Sequence, residues 1–519
     1  MCPSDHETRS SRDDGPRQLR TAVGSFWQRI RARFTVDTRA LAAYRIALAS
    51  LVLLDLLRRS RHLELFYTDR GVYPRAAYEA TYTQYNGVSL HALSGDLWFQ
   101  QLLFVVAAVV AVVFLLGYRT RLAGAVSFLL LLSLHARNPA VLNGGDGLFR
   151  ILLVLSLLVP LGERWSVDAL RRGEAREQVC TFGTAAVLLQ PVVVFTANAI
   201  LKHDGEHWYA GEALEIALLN DSMRFHLGNV IVDYPALMTT LNYTWVTLLA
   251  GSALFLLGTV GRSRALAALG YLGVFFGMST AMAVGLFPFL LMASVLPFLT
   301  APFWETLGRL APARWRDRLP DRNWLGPLAK PPLERRLLDR LDPQNRHVVT
   351  EFARSLLTAV GFLTVVWMLS FAASDVTGRD VPDAVDSAHL DQQEWGLYAP
   401  DPSEGYDWYV TEAELVGGQS IDVSDGGAVE FDRPPDATAA YESYYHRKFM
   451  NLVEASADDD TSPVVARSYG EWACQRAATE YDEPVERVIV HRLYQWSPLD
   501  GSYDEPNRWT IIERDCEQS

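Results

Sequence analysis

Residues 98–117 read WFQQLLFVVAAVVAVVFLLG, twenty residues without a charge. Coiled as an α-helix, such a run matches the ~30 Å hydrocarbon core of a bilayer. Apolar runs of the same kind recur at 39–57, 122–136, 147–162, 183–202, 238–260, 265–280, 282–300 and 354–373. Together they predict an all-α polytopic membrane bundle of about nine transmembrane helices. The runs at 122–136 and 147–162 are short against the ~17–25 residues a span requires, and 265–300 divides in more than one way. A count of eight or ten therefore stays open. No P-loop, no GxGxxG at a strand–helix junction and no HExxH accompanies these runs.

Charge divides the chain in two. The 519 residues carry a net charge of −13. From Asp375 onward there are 10 Lys/Arg against 32 Asp/Glu, a net of −22, which leaves +9 on the rest. An asymmetry of that size points to two surfaces in different compartments. Basic residues crowd the N-terminal segment, where RQLRTAVGSFWQRIRARF (17–34) alternates Arg with apolar residues at helical spacing. This reads as an amphipathic helix on the inner membrane surface. They crowd 301–352 as well, with 10 Lys/Arg against 7 Asp/Glu. By the positive-inside rule both segments are cytoplasmic and the tail is outside. Arg58, Arg59 and Arg61 run against this, lying just beyond the first span on the outward side; either they belong to the polar site read below or they weaken the orientation.

The expected organisation follows: a basic segment 1–36, a transmembrane domain 37–300, a cytoplasmic Arg-rich loop 301–352, a last transmembrane helix 353–374, and an acidic extracytoplasmic α+β domain 375–519. No cleavable signal precedes the first span, which is expected to direct insertion itself. In the tail, strands are predicted at 406–415, 487–496 and 508–513, and helices at 438–455 and 463–479. Four cysteines form no CxxC pair. Cys474 and Cys516, both in the tail, are placed to join as a disulfide in an oxidising exterior. Only Lys202, Lys330 and Lys448 are lysines among 47 basic residues. Arg in place of Lys on an acidic surface resembles a halophile's composition, and biased gene composition gives the same pattern.

Polar residues inside the spans carry the functional signal, because ionisable groups at membrane depth are costly and turn toward a cavity or each other. Arg45 and Asp55 lie in the first span. Asn143-Gly-Gly-Asp146 opens the fourth, with Arg150 one turn beyond Asp146 on the same face. Gln190, Asn198 and Lys202 give the fifth span one polar side. Interhelical ion pairing explains these groups as readily as a binding site does. For Lys202 the plain alternative is snorkelling to the interface, a task Arg would serve in this chain. A lysine beside a pocket can instead act as a base, which Arg cannot. His203 and His207 are spaced like a metal pair. No third ligand follows and the span ends there, so an interfacial cap with Trp208 and Tyr209 is the reading taken, with no metal expected.

In order, YRIALASLVLLDLLRR (44–59), FYTDRGVYPR (66–75), LNGGDGLFRILLVLSLLVPLGERWSVD (142–168), FTANAILKHDGEHWYAGEAL (195–214) and EWGLYAPDPSEGYDWYV (394–410) resemble the HTTM (horizontally transferred transmembrane domain) proteins. These are microbial relatives of vitamin K-dependent γ-glutamyl carboxylase. The resemblance covers about 37–300 and the start of the tail. It implies a multi-pass membrane enzyme, a carboxylase-like or quinol epoxidase-like lyase. Such an enzyme uses a lipid quinol (menaquinone or vitamin K-like), oxygen and CO2, with membrane lipid and an outer-side peptide as partners and no nucleic acid. Lys202 matches, within one residue, the lysine thought to deprotonate the quinol. Asn143, Asp146, Arg150, Asn198, Arg45, Asp55, His203 and Trp208 are the expected substrate- or cofactor-binding residues. The animal enzymes place His directly after the asparagine matched by Asn143, where this chain has Gly144. The resemblance is thus weaker for carboxylation than for quinone binding. A non-catalytic quinone- or lipid-binding protein that presents its acidic tail to partners is the rival expectation.

Overall fold

The computed structural model describes residues 15–310, 342–377 and 397–516, except 84–85, 174, 220–222, 425, 437, 439–440, 442, 459–462 and 481–483. The Arg-rich core of the 301–352 loop (311–341), residues 378–396 and Cys2 lie outside the described residues.

Five helices there are long and apolar enough to cross a membrane: Thr38–Ser60, Leu97–Leu116, Phe182–Asp204, Gly261–Ala281 and His347–Ser370. They coincide with five of the nine expected spans. The pair Phe287–Phe298 and Ala301–Leu310, bent by 102°, adds a sixth candidate. The remaining expected spans take shorter forms. Thr120–Arg137 has 18 residues and Gly144–Ser156 only 13. Pro235–Ala250 continues into a π-helical turn at Ala253–Gly258, and the run at 282–300 becomes the nine-residue helix Phe287–Val295. Prolines account for two of these endings: Pro160 follows the Gly144 helix and Pro297 interrupts the last run.

Local chemistry fixes the helix ends. The Asp37 carboxylate accepts from the Arg39 N–H and caps the first span. Thr181 and Thr184 form a capping box at the start of Phe182–Leu201. At the close of Leu97–Leu116, Gly117 adopts φ +66°, and its N–H returns to the carbonyls of Val113 and Phe114. Asp168 then accepts from the N–H groups of Arg119 and Thr120, so a distant segment caps the next helix. A two-residue ladder, β1 Val36–Asp37 against β2 Gln178–Val179, ties the start of the first span to the start of the Phe182 helix.

The tail is a four-stranded antiparallel sheet with two helices. Its strands are β3 Gly405–Leu415, β4 Ser420–Asp422, β5 Val485–Trp496 and β6 Asn507–Asp515, in the order β4-β3-β5-β6. Helices Tyr444–Ala457 and Val464–Glu480 complete it. Cys474 and Cys516 are disulfide-bonded, Cα atoms 5.6 Å apart, joining the second helix to the chain just past β6. The tail is not set apart from the membrane domain. Tyr445, Phe449, Met450 and Val453 share one continuous core with Phe66, Tyr67 and Tyr73. The Phe449 ring lies 5.7 Å from that of Phe66 and 5.8 Å from that of Tyr73. Burying such a ring stabilises the contact by roughly 1.5–3 kcal/mol.

Candidate functional site

Two polar clusters sit where the tail meets the membrane domain. The first is charged. Asp55 and Arg59, one turn apart on the first span, are both fully buried and pair at 2.9 Å. The Arg59 guanidinium also donates to Asp146 Oδ1 at 2.7 Å and to the Tyr67 hydroxyl at 2.9 Å. His135, from the Thr120–Arg137 helix, brings Nε2 to 3.5 Å from Asp146 and 3.8 Å from Asp55. Its Nδ1 lies 3.1 Å from Arg150 Nη1. Arg59 Nη2 lies 3.4 Å from Nε2 as well, so each ring nitrogen of His135 faces an arginine. Asp55, Asp146 and Arg150 are among the residues the sequence singled out. It gave no role to His135, whose only signal was one imidazole inside the leucine run of its helix. Arg59, which looked like a topology conflict, is turned inward as the hub of the cluster.

Asn143 and Asp146 form a capping box: the Asn143 side chain accepts from the Asp146 N–H, and Asp146 Oδ2 accepts from the Asn143 N–H. Asn143 Nδ2 donates to the Tyr444 hydroxyl at 2.5 Å. Tyr445 lays its ring 4.9 Å from Arg59 Cζ, a cation–π contact. Burial raises the pKa of both tyrosines, so both phenols stay protonated. Between Asp55, Asn143, Asp146, Phe287 and these two tyrosines remains a cavity of about 10 Å³, room for one water.

The second cluster surrounds Lys202, which is 3% exposed at the end of the Phe182–Leu201 helix. Its ammonium donates to the carbonyl of Leu397 and, at 3.0 Å, to that of Tyr398. It also stands 4.1 Å over the Trp208 ring. Trp208 Nε1 donates to the same Tyr398 carbonyl at 2.9 Å. Among the described residues, the three groups that touch the amine are uncharged. The nearby Asp401 carboxylate is taken up by the N–H groups of Glu206 and His207. Gly205 makes this approach feasible, because a Cβ there would fall 2.2 Å from the Pro400 oxygen. Residues 397–404 thus form a strap lying across Lys202. Tyr398 holds φ +55°, a left-handed conformation that a tyrosine adopts at a cost of about 1–3 kcal/mol.

The other expected site residues are dispersed. Asn198 is buried one turn before Lys202. His203 faces outward with Nδ1 on the Tyr209 hydroxyl at 2.6 Å, and His207 turns away from it to Glu212 and Glu404. Among the described residues no group of three or more His, Cys, Asp or Glu side chains is arranged to hold a metal ion. Arg45 belongs to neither cluster. It lies ten residues before Asp55, about 15 Å down the helix. There its guanidinium collects the carbonyls of Leu161, Arg164 and Trp165 at 3.0, 3.2 and 2.6 Å. That is a structural pin on the 161–165 turn.

The fold and these clusters define a multi-pass helical membrane protein with an appended α+β domain. The HTTM domain family model matches residues 34–304, more than half of the chain, and the chain belongs to that family. No curated protein and no solved structure matches it.

Proposed function

We propose that this protein is a membrane enzyme of carboxylase-like ancestry that acts on a lipid quinol at an outward-facing site, with Lys202 as the base. The reading rests on one observation: the amine is buried at the end of an apolar helix and, among the described residues, is met by two carbonyls and an indole face. No ion pair has to break before Nζ takes a proton. A lipid quinol fits this setting, since a hydroxyl can replace either carbonyl as the partner of the amine while an apolar tail follows the span. When bound, it supplies an acidic hydroxyl and reducing electrons. Lys202 would hold the transferred proton at Nζ, Trp208 would wall the amine, and Asn198 lies one turn below. The N-terminus inside, the tail outside, and nine spans complete the proposal.

The rival reading, a non-catalytic quinone- or lipid-binding protein, draws on a different observation. Both Asp146 oxygens and both polar atoms of the Asn143 amide are already satisfied within the protein. The test is turnover: purified full-length protein in nanodiscs, given menaquinol-4 and oxygen, followed by absorbance. Oxidation by the wild type that is lost in Lys202→Arg supports the enzyme. Equal turnover by both removes Lys202 as base. Quinone recovered in the lipid extract without turnover favours the binding protein.

A further inference from the structure

The strap 397–404 is held at one end by Lys202 and at the other by a histidine with two carboxylates. His207, in the short helix Glu206–Ala210, presents Nδ1 to Glu212 Oε2 at 3.2 Å and Nε2 to Glu404 Oε1 at 3.1 Å. Glu212 belongs to the membrane domain and Glu404 lies immediately before β3. A carboxylate accepts hydrogen bonds and does not donate when ionised, so both ring nitrogens must carry hydrogen. Only the imidazolium makes both bonds together. The third charge facing the ring, Asp401, is on the strap and also favours the cation.

We infer that His207 is a proton-controlled clasp, fastening the strap over Lys202 when the imidazole is charged and releasing the Glu404 end when it is neutral. Burial opposes the charge, but the Glu212 hydrogen bond, Asp401 and Glu404 together raise the histidine above its ordinary value. The direction follows from linkage. A group whose pKa is higher in the clasped form contributes its full stabilisation below the unclasped value, ~6.5. It loses that stabilisation as pH rises through the clasped one. Alkaline conditions therefore release the Glu404 end of the strap and mildly acidic ones fasten it, while the bonds of Asp401 to the N–H groups of Glu206 and His207 hold its middle. Only the consequence for Lys202 rests on the reading above, since the clasp itself stands on the contacts of the ring.

Nitroxides at Ala210→Cys and Ser403→Cys, both exposed positions, report the strap directly in full-length protein carrying Cys2→Ser and Cys180→Ser. Electron–electron distances are compared at about pH 5.5 and about pH 8.5, either side of the ordinary histidine value. The expected result is one short, narrow distribution at the lower pH and a longer, broader one at the higher. His207→Gln is expected to abolish the difference, as is Glu404→Gln, which keeps the test decisive if the first variant fails to fold. An unchanged wild-type distribution, or a pH response that survives in either variant, overturns the clasp. Quinol turnover plays no part in this readout, so its failure and that of the clasp are separately visible.

Discussion

Arg59 and Lys202 are both buried cations at the ends of apolar helices nearest the C-terminal domain, and their surroundings differ in kind. Arg59 is matched inside the membrane domain by Asp55 and Asp146 and flanked by His135. Lys202 is met by neutral groups, two of them carbonyls arriving from the strap almost two hundred residues later. Removing one member of a matched buried set strands its partners, which is how a structural cluster behaves. Removing an amine held by carbonyls strands no charge. The first arrangement commits its cation to the fold, whereas the second, among the described residues, sets no carboxylate in an ion pair with Lys202.

Four measurements sharpen or break that contrast. Lys202→Arg carries the largest expected effect. A general base contributes roughly 10²–10⁴-fold, so under the function proposed above turnover should fall by that factor. The guanidinium can still donate to both carbonyls and stack on Trp208, so the thermal midpoint should stay close to that of wild type. A large loss of stability in this variant would place Lys202 with Arg59 as a structural cation. Arg59→Met should do the reverse, costing about 3–5 kcal/mol in detergent unfolding because Asp55 and Asp146 are left facing each other.

Next comes pH. His91 is 3% exposed and donates Nδ1–H to Gln100 Oε1 at 2.7 Å, the Gln100 amide nitrogen being engaged by two carbonyls. Burial lowers its pKa from 6.5 to about 4. Its effect is opposite in sign to that of His207: above pH 6.5 it is neutral both folded and unfolded, and stability drains away as pH falls from 6.5 toward 4. The loss should approach about 3 kcal/mol and be absent in His91→Gln, as read from thermal midpoints across pH. Tyr444→Phe is the smallest effect. It removes the hydroxyl partner of Asn143 Nδ2 and should cost about 0.5–1.5 kcal/mol, leaving turnover unchanged if the Lys202 seat is the working site.

The apolar runs made five full-length helices legible in the sequence, and period-two alternation located the three long strands of the tail. Spacing also put Asp146 and Arg150 on one helix face, and the scarcity of lysine singled out Lys202. What stayed hidden was long-range. Nothing in 195–214 shows that Leu397 and Tyr398 supply the partners of the amine, and nothing in the first span shows Arg59 turning inward to Asp146. The tail read as a separate acidic domain because its net charge dominates its composition. The apolar face of Tyr444–Ala457, which carries Phe449 into the membrane domain, is a minor part of that composition. Arg45 read as a site residue because a buried arginine in a span has the same signature whether it faces a ligand or three carbonyls.

The Tyr444–Asn143 bond spans 301 residues of chain. At ~5–20 residues per second of synthesis, Asn143 leaves the ribosome some 15–60 s before the hydroxyl that will meet it. Until then the segment holding Phe66 and Tyr73 stands without its cover. The membrane domain is therefore made before its cover, and the aromatic surface around Phe66 and Tyr73 is closed only when the last quarter of the chain has been synthesised. A chain halted before Tyr444 would keep its spans and expose that aromatic floor, a ready handle for chaperones and proteases.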